Sequence, residues 1–393
     1  MKTTILIVLG LLASPASDWT RWRGPEGTGI SAEADWKPQA LMPAPKIAWR
    51  TSLGEGHSSV AVAGKRLYTM GNQKGRDIVY CLDAETGKDV WRYPYGCTAG
   101  NYPGPRSSPV LDGGFVYTLS RDGDALCLDA ESGRMKWQVD LRKAHSIVNP
   151  TWGLAGAPLV TGDLVIYNAR SHGIALNKAS GQKAWVSGGG EGGYATPVPF
   201  KLKDVDCLAM FGFTELTVVE LATGKRLQSY PWQTQYNVNS ADPVFFDEKI
   251  FISSGYDRGC ALLDLSGKGL RSLWENKNLS SHFASPILLD GHLYGVDGNT
   301  SNGRLRCLDA KTGQVKWTQT GNFENLMIAA GKILAIDKKG VLTVAEATPA
   351  GFKEIARATV LSARAQNWTA PVLANGRIYC RNSDGDLVCV DVR

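Results

Sequence analysis

The sequence predicts an all-β chain folded as an eight-bladed β-propeller of four-stranded antiparallel blades. Three observations predict it: a phrase repeated around the chain, a near-constant spacing between its copies, and an unpartnered strand near each end. The phrase reads CLDAETGKDVW at Cys81–Trp91, CLDAESGRMKW at Cys127–Trp137 and CLDAKTGQVKW at Cys307–Trp317. Weaker copies lie at Ile174–Trp185, Val218–Gln228, Leu262–Trp274 and Ala345–Ile355. Successive anchors (Trp49, Trp91, Trp137, Trp185, Gln228, Trp274, Trp317, Ile355) stand 38 to 48 residues apart. A period of that length carrying strand-turn-strand chemistry is the mark of a propeller.

Each phrase is a hairpin. An apolar strand such as Val79–Leu82 or Ala125–Leu128 ends at Asp83, Asp129, Asn177, Glu220, Asp264 or Asp309. A glycine usually follows four residues on, at a turn position that needs positive φ, and the acidic or amide side chain can accept turn N–H groups. The tryptophan then lies on the outgoing strand. Pro109, Pro158, Pro197, Pro243, Pro286 and Pro371 open the first strand of a unit, where a missing N–H costs no ladder bond. With Ser58–Ala63 and a weak Leu326–Ala330, these openings number eight.

The eighth unit ends on its third strand, DLVCVDVR at Asp386–Arg393, while Lys46–Leu53 (KIAWRTSL) is a fourth strand with no blade before it. Pairing the two closes the ring and removes two sheet edges. The expected organisation is a signal peptide over residues 1–17, an N-terminal extension over 18–45 that packs across one face, and the propeller over 46–393. The signal-peptide reading rests on Lys2, the apolar run Ile5–Leu12 and Ser14-Pro15-Ala16; the run is too short to span a bilayer. A periplasmic or secreted protein is therefore expected, without a transmembrane segment. No cysteine lies near the cleavage point, which argues against lipid anchoring.

Net charge is +6, from 43 basic and 37 acidic residues scattered along the chain. No basic run suits nucleic acid. Eight cysteines in an exported chain raise the question of disulfides. Yet Cys81, Cys127, Cys307 and Cys389 occupy one spot in four different blades, too far apart to bridge, and read as small buried side chains.

The (C/A)LDAxTGxxxW unit resembles the PQQ-binding-like, quinoprotein-type propeller repeat, over nearly the whole mature chain. WRGPEGTGIS, GPRSSPV, WGLAGAPLV, SGYDRGCALL, HFASPILLDGHLYGVDGN and WTAPVLANGRIY look like a branch of exported bacterial propellers, similar to the outer-membrane assembly propeller lipoproteins. In the family's PQQ-dependent alcohol dehydrogenases, the resemblance implies a quinone in the channel under a disulfide of adjacent cysteines, with calcium and a catalytic aspartate. This sequence has no Cys-Cys pair and no CxxCH. The assembly lipoproteins match in length and blade count, but their lipobox cysteine has no counterpart here.

HExxH, GxSxG, P-loop and CxxC motifs are absent, and the five histidines lack metal-ligand spacing. The candidate site is instead the set of loops leading into the first strands, which gather at one mouth of the channel. They carry Arg106, Trp152, Tyr194, Asn239, Asp242, His282, Asn325 and Trp368. Trp49, Trp91, Trp137, Trp185, Trp274 and Trp317 are spoken for as blade anchors, whereas Trp152 and Trp368 are not. Aromatic faces beside a guanidinium suit a flat anionic ligand. The other reading is a plug, with Arg106 paired to Asp242 or Glu324. Asp242 stands where the other units have Ser108, Ala157, Thr196, Ser285 and Ala370.

The function expected is a monomeric, non-catalytic binding or scaffold propeller of the cell envelope. Its partner would be an envelope protein or a small anionic ligand at the channel mouth, with no cofactor. The alternatives are a PQQ-dependent oxidoreductase holding calcium, and a sugar hydrolase or lyase.

Overall fold

A computed structural model of the chain describes residues 18–300 and 302–393; the expected signal peptide lies outside them. Eight four-stranded antiparallel sheets follow one another around a central channel. Blade 1 comprises Ala61–Ala63, Arg66–Gln73, Arg76–Asp83 and Asp89–Gly96. Blades 2 to 7 span 110–140, 159–186, 198–231, 244–276, 287–319 and 323–359. Each of the six prolines immediately precedes a first strand, and the weak seventh opening is a full strand, Phe323–Ala329.

Blade 8 combines Val372–Ala374, Arg377–Arg381 and Asp386–Asp391 with Ile47–Ser52. The pairing is antiparallel, with Trp49 opposite Cys389. Lys46 Nζ lies 2.8 Å from Asp391 Oδ2 beside this seam. Arg381 fastens blade 8 to blade 1, donating to Ser58 O at 2.9 Å and Thr69 Oγ1 at 2.8 Å, and also to the Met70 carbonyl.

The repeated phrase explains how blades lock. In most of these turns the acidic or amide side chain caps the backbone: Asp83 Oδ1 accepts from the N–H of Glu85 and Thr86 at 3.1 and 2.9 Å, and Asn177 does the same in blade 3, whereas Glu220 of blade 4 accepts from the Thr223 hydroxyl. The tryptophan reaches the next blade. Trp91 Nε1 donates to Ala130 O at 2.9 Å, Trp137 to Lys178 O at 2.9 Å, and Trp185 to Leu221 O at 3.1 Å. Trp274 and Trp317 repeat the contact to Lys311 and Thr348. In blade 4, where glutamine replaces tryptophan, Gln228 Nε2 still donates forward, to Gly267 O at 3.2 Å. Trp49 completes the circle by donating to Ala84 O of blade 1 at 3.1 Å.

These turn glycines are required by more than their backbone angle. The Trp91 indole lies on Gly133, which has φ 71°, so close that a Cβ there would sit 2.6 Å from the ring. Gly87, Gly181 and Gly224 are overlain in the same way by Trp49, Trp137 and Trp185. On the sheet side, Cys81, Cys127, Cys307 and Cys389 each lie between a tyrosine and a tryptophan of neighbouring strands. All eight cysteines are buried and free. Burial pushes the thiols of Cys81, Cys127 and Cys307 up to about 11, so they are inert apolar filler.

Residues 18–45 run across the end of the channel where the first-to-second strand turns lie. Trp19 exchanges backbone hydrogen bonds with Val62, and Thr20 O accepts from Leu111 N. Ile30–Ser31 then adds a parallel fifth strand to the inner edge of blade 7, and Lys37 N donates to Val392 O at 2.7 Å. Among the described residues no helix is long and apolar enough to cross a membrane.

Two outcomes test this account. Gly133→Ala is expected to lower stability by about 2–4 kcal/mol, combining φ strain with overpacking against Trp91; a denaturation midpoint within error of the parent would refute the clasp. Deleting residues 46–53 is expected to give an unfolded or oligomeric product. Size-exclusion chromatography showing a monomer of unchanged melting temperature would refute strand closure.

Candidate functional site

Adjacent first strands are joined at the channel by the side chains one residue ahead of four of the six prolines. Ser59 N donates to Ser108 Oγ at 3.0 Å, Ala157 N to Thr196 Oγ1 at 3.1 Å, and Asp242 N to Ser285 Oγ at 2.8 Å. Thr196 N donates to Asp242 Oδ1 at 2.7 Å. Each hydroxyl or carboxylate thus satisfies a backbone donor of the preceding blade, which a buried N–H requires. Asp242 keeps this role and adds one. Its second oxygen accepts from the Trp22 indole at 2.7 Å and lies 4.0 Å from Arg23 Nε. Arg23 itself donates to Pro286 O of blade 6 at 2.8 Å. The extra carboxylate therefore bolts the N-terminal extension across the floor of the channel. Burial pushes the Asp242 carboxyl up, while Arg23 and the N–H groups of Thr196 and Trp22 pull it back down.

Above this floor lies a cavity of about 430 Å³. Of the eight residues expected at the mouth, Arg106, Trp152, Tyr194, Asp242, His282, Asn325 and Trp368 line it. Asn239 does not. It is fully buried beneath the loop, donating to Gly212 O at 3.0 Å and accepting from Ser254 Oγ at 2.7 Å. Asn325 acts on the cavity through a neighbour, donating to Trp368 O at 2.7 Å. Tyr194 OH accepts from Trp152 N at 3.4 Å.

Arg106 pairs with neither Asp242 nor Glu324, contrary to the plug reading. Its Nη2 donates to Asn101 O at 2.8 Å and Tyr102 O at 3.1 Å, and its buried Nη1 has no partner. Glu324 accepts instead from Asn367 N at 3.0 Å. Burial, then the nearby Arg121 charge, brings the Arg106 guanidinium down to about 10.

Several lining residues escaped the sequence reading: Trp22, His57, Tyr102, Tyr256 and Phe283. His57 leads into blade 1 as His282 leads into blade 6, but blade 1 lacks the proline that marked the other openings. Tyr256 sits in a second-to-third strand hairpin, which reaches the same end as the fourth-to-first loops. Tyr102 and Tyr256 adopt φ of 53° and 58°, a region that costs non-glycine residues strain. Together the rings form a continuous arch. Tyr102 lies 5.8 Å from Trp152 and 5.5 Å from Trp368, Phe283 is 4.8 Å from Trp368, and His57 stacks on Trp368 at 4.7 Å. Burial lowers His282 to about 4, and burial with the Arg106 charge lowers His57 to about 3.

With this geometry in view, comparison with known proteins places the chain. The family model described as outer membrane protein assembly factor BamB matches residues 35–105 and 98–319. The chain belongs to this family. It is 24% identical to the outer membrane protein assembly factor BamB of Yersinia pestis over 320 residues, covering 76% of this chain and 77% of that one. The crystal structure of BamB from Moraxella catarrhalis superposes with a TM-score of 0.65 at 17% identity, over 88% of this chain and all of the other. The quinohemoprotein alcohol dehydrogenase of Comamonas testosteroni superposes at 0.72 with 13% identity, over 96% and 80%, a likeness of fold alone.

Fold likeness raises the question of quinone and calcium, and the lining residues do not fit that pair. Calcium takes six to eight oxygen ligands, carboxylates foremost. Asp242 is the one carboxylate lining the cavity among the described residues, and its two oxygens serve Thr196 and Trp22. No group of three or more His, Cys, Asp or Glu among the described residues is placed to hold a metal.

Asp242→Ala is expected to cost about 3 kcal/mol, by orphaning the Trp22 and Thr196 donors and the Arg23 charge. An unchanged denaturation midpoint would show that the extension is not fastened there.

Proposed function

We propose that this BamB-family chain is an exported, non-catalytic binding or scaffold propeller of the bacterial cell envelope, taking its ligand or partner at the channel mouth. The observation that carries this reading is the blind cavity itself: an arch of aromatic rings around a guanidinium with an open nitrogen, closed below by Trp22 and Asp242. Such a cavity is concave, largely apolar and of the size of small-molecule sites, with few polar groups to orient an occupant. Its relatives' description as outer membrane assembly factors supports an envelope partner. Ring closure through Ile47–Ser52 leaves no blade lacking its fourth strand, which supports a monomer.

The PQQ-dependent oxidoreductase remains the second reading, favoured by the shared fold and by the flat aromatic surroundings of Arg106. A titration of the purified chain with PQQ, with and without calcium, separates the two. No saturable change in absorbance or melting temperature is expected at high micromolar quinone. A calcium-dependent, saturable stabilisation that Arg106→Ala abolishes would replace the scaffold reading with the oxidoreductase.

A further inference from the structure

The groups left buried and unbonded at the mouth are chiefly donors. Arg106 Nη1 and the Trp368 indole N–H have no acceptor, and neither ring nitrogen of His57 or His282 has a partner. His282 is only 8% exposed. With their basicity suppressed by burial, both imidazoles are neutral at pH 7, and each offers one N–H. Each neutral imidazole also keeps one bare acceptor nitrogen, whereas the acceptors of Asp242, Asn325 and Tyr194 are engaged. Asp242 serves Thr196 and Trp22, Asn325 Oδ1 accepts from Leu326 N, and Tyr194 OH accepts from Trp152 N. Arg106 hydrogen-bonds only backbone carbonyls, and no carboxylate of the described residues pairs with it at salt-bridge distance, the Asp77 charge acting on it from farther off. Four rings, Tyr102, Trp152, Phe283 and Trp368, surround this donor set.

We infer that the mouth binds a compact apolar acid, its single carboxylate seated on Arg106 and its body held against the aromatic arch. This rests on the reading of the mouth as a ligand site and adds the chemistry of the ligand. A carboxylate supplies two acceptor oxygens and one negative charge, matching the open Nη1 of the Arg106 guanidinium and the neighbouring N–H groups. The competing classes match less well. A sugar brings hydroxyl donors in equal number to acceptors and no negative charge for Arg106. An amine meets Arg106 with like charge. A flat tricarboxylate such as PQQ would bury further negative charges with the one lining guanidinium to meet them. The cavity of about 430 Å³ is large enough to enclose a two-ring acid.

The test is calorimetric titration of the full chain at pH 7 with 2-naphthoate and with its neutral counterpart, 2-naphthalenemethanol. The expected result is saturable binding of both, with the acid favoured by about tenfold or more. Arg106→Gln should erase the preference while keeping the alcohol affinity, which shows the mouth intact; Arg106→Lys should restore part of it. The wild-type comparison stands even if the glutamine variant does not fold. Equal affinity for acid and alcohol, or a preference that survives Arg106→Gln, would overturn the carboxylate and leave a binding mouth. Silence from both probes would overturn the binding mouth as well.

Discussion

The structure depends on one repeated contact: an indole laid on the turn glycine of the next blade, with its N–H on the carbonyl beside it. Trp91 on Gly133 and Trp137 on Gly181 show the geometry most plainly. The contact couples three requirements in one place. The turn must cap itself through Asp or Asn, the glycine must take a left-handed angle and present no Cβ, and the tryptophan must bury its face while satisfying its polar edge. Because the clasp always points from one blade to the next, copies of it define a direction around the ring. Each blade packs on its neighbours without needing a common core.

The clasps sit toward the rim, so the channel is free to differ from blade to blade. Its order comes from a second, inner ring of hydrogen bonds, through Ser108, Thr196, Asp242 and Ser285. Asp242 shows how a functional floor arises with little change to that ring. A carboxylate reproduces the hydroxyl's acceptor role and has an oxygen left for Trp22. That carboxylate thereby joins the inner ring to the N-terminal extension, which also docks through Trp19 on Val62 and Ile30–Ser31 on blade 7. What the cavity presents is set by loops outside the repeat.

The architecture was legible because its determinants are local and periodic: turn residues, strand-opening prolines and anchors at fixed offsets. Even the closing strand could be placed, since two unpaired strands at opposite ends have one economical pairing. Most of the mouth was legible by a different route, as departures from the repeat. Residues that break a pattern, such as Arg106, Trp152 and Trp368, do line the cavity. The reading failed where position alone misleads. Asn239 lies in the right loop but turns into the protein to hold Gly212 and Ser254. Arg106 has acidic residues in neighbouring loops yet bonds to carbonyls of its own loop, because a short backbone excursion around Tyr102 reaches it first. Trp22 belongs to a segment with no repeat to depart from, so nothing in its sequence tied it to a residue 220 positions away.

The seam between Ile47–Ser52 and Asp386–Asp391 also sets an order of events in time. Lys46 and Asp391 are 345 residues apart, so a strand that leaves the ribosome early must wait for one made far later. Holding those ends together costs entropy that grows only with the logarithm of the separation, roughly 5 kcal/mol for a chain of this length. The wait is the greater burden. Until the late strand arrives, neighbouring blades can form locally while two hydrogen-bonding edges stand open to other chains. The vulnerable species of this protein is therefore the nearly complete ring, one strand short.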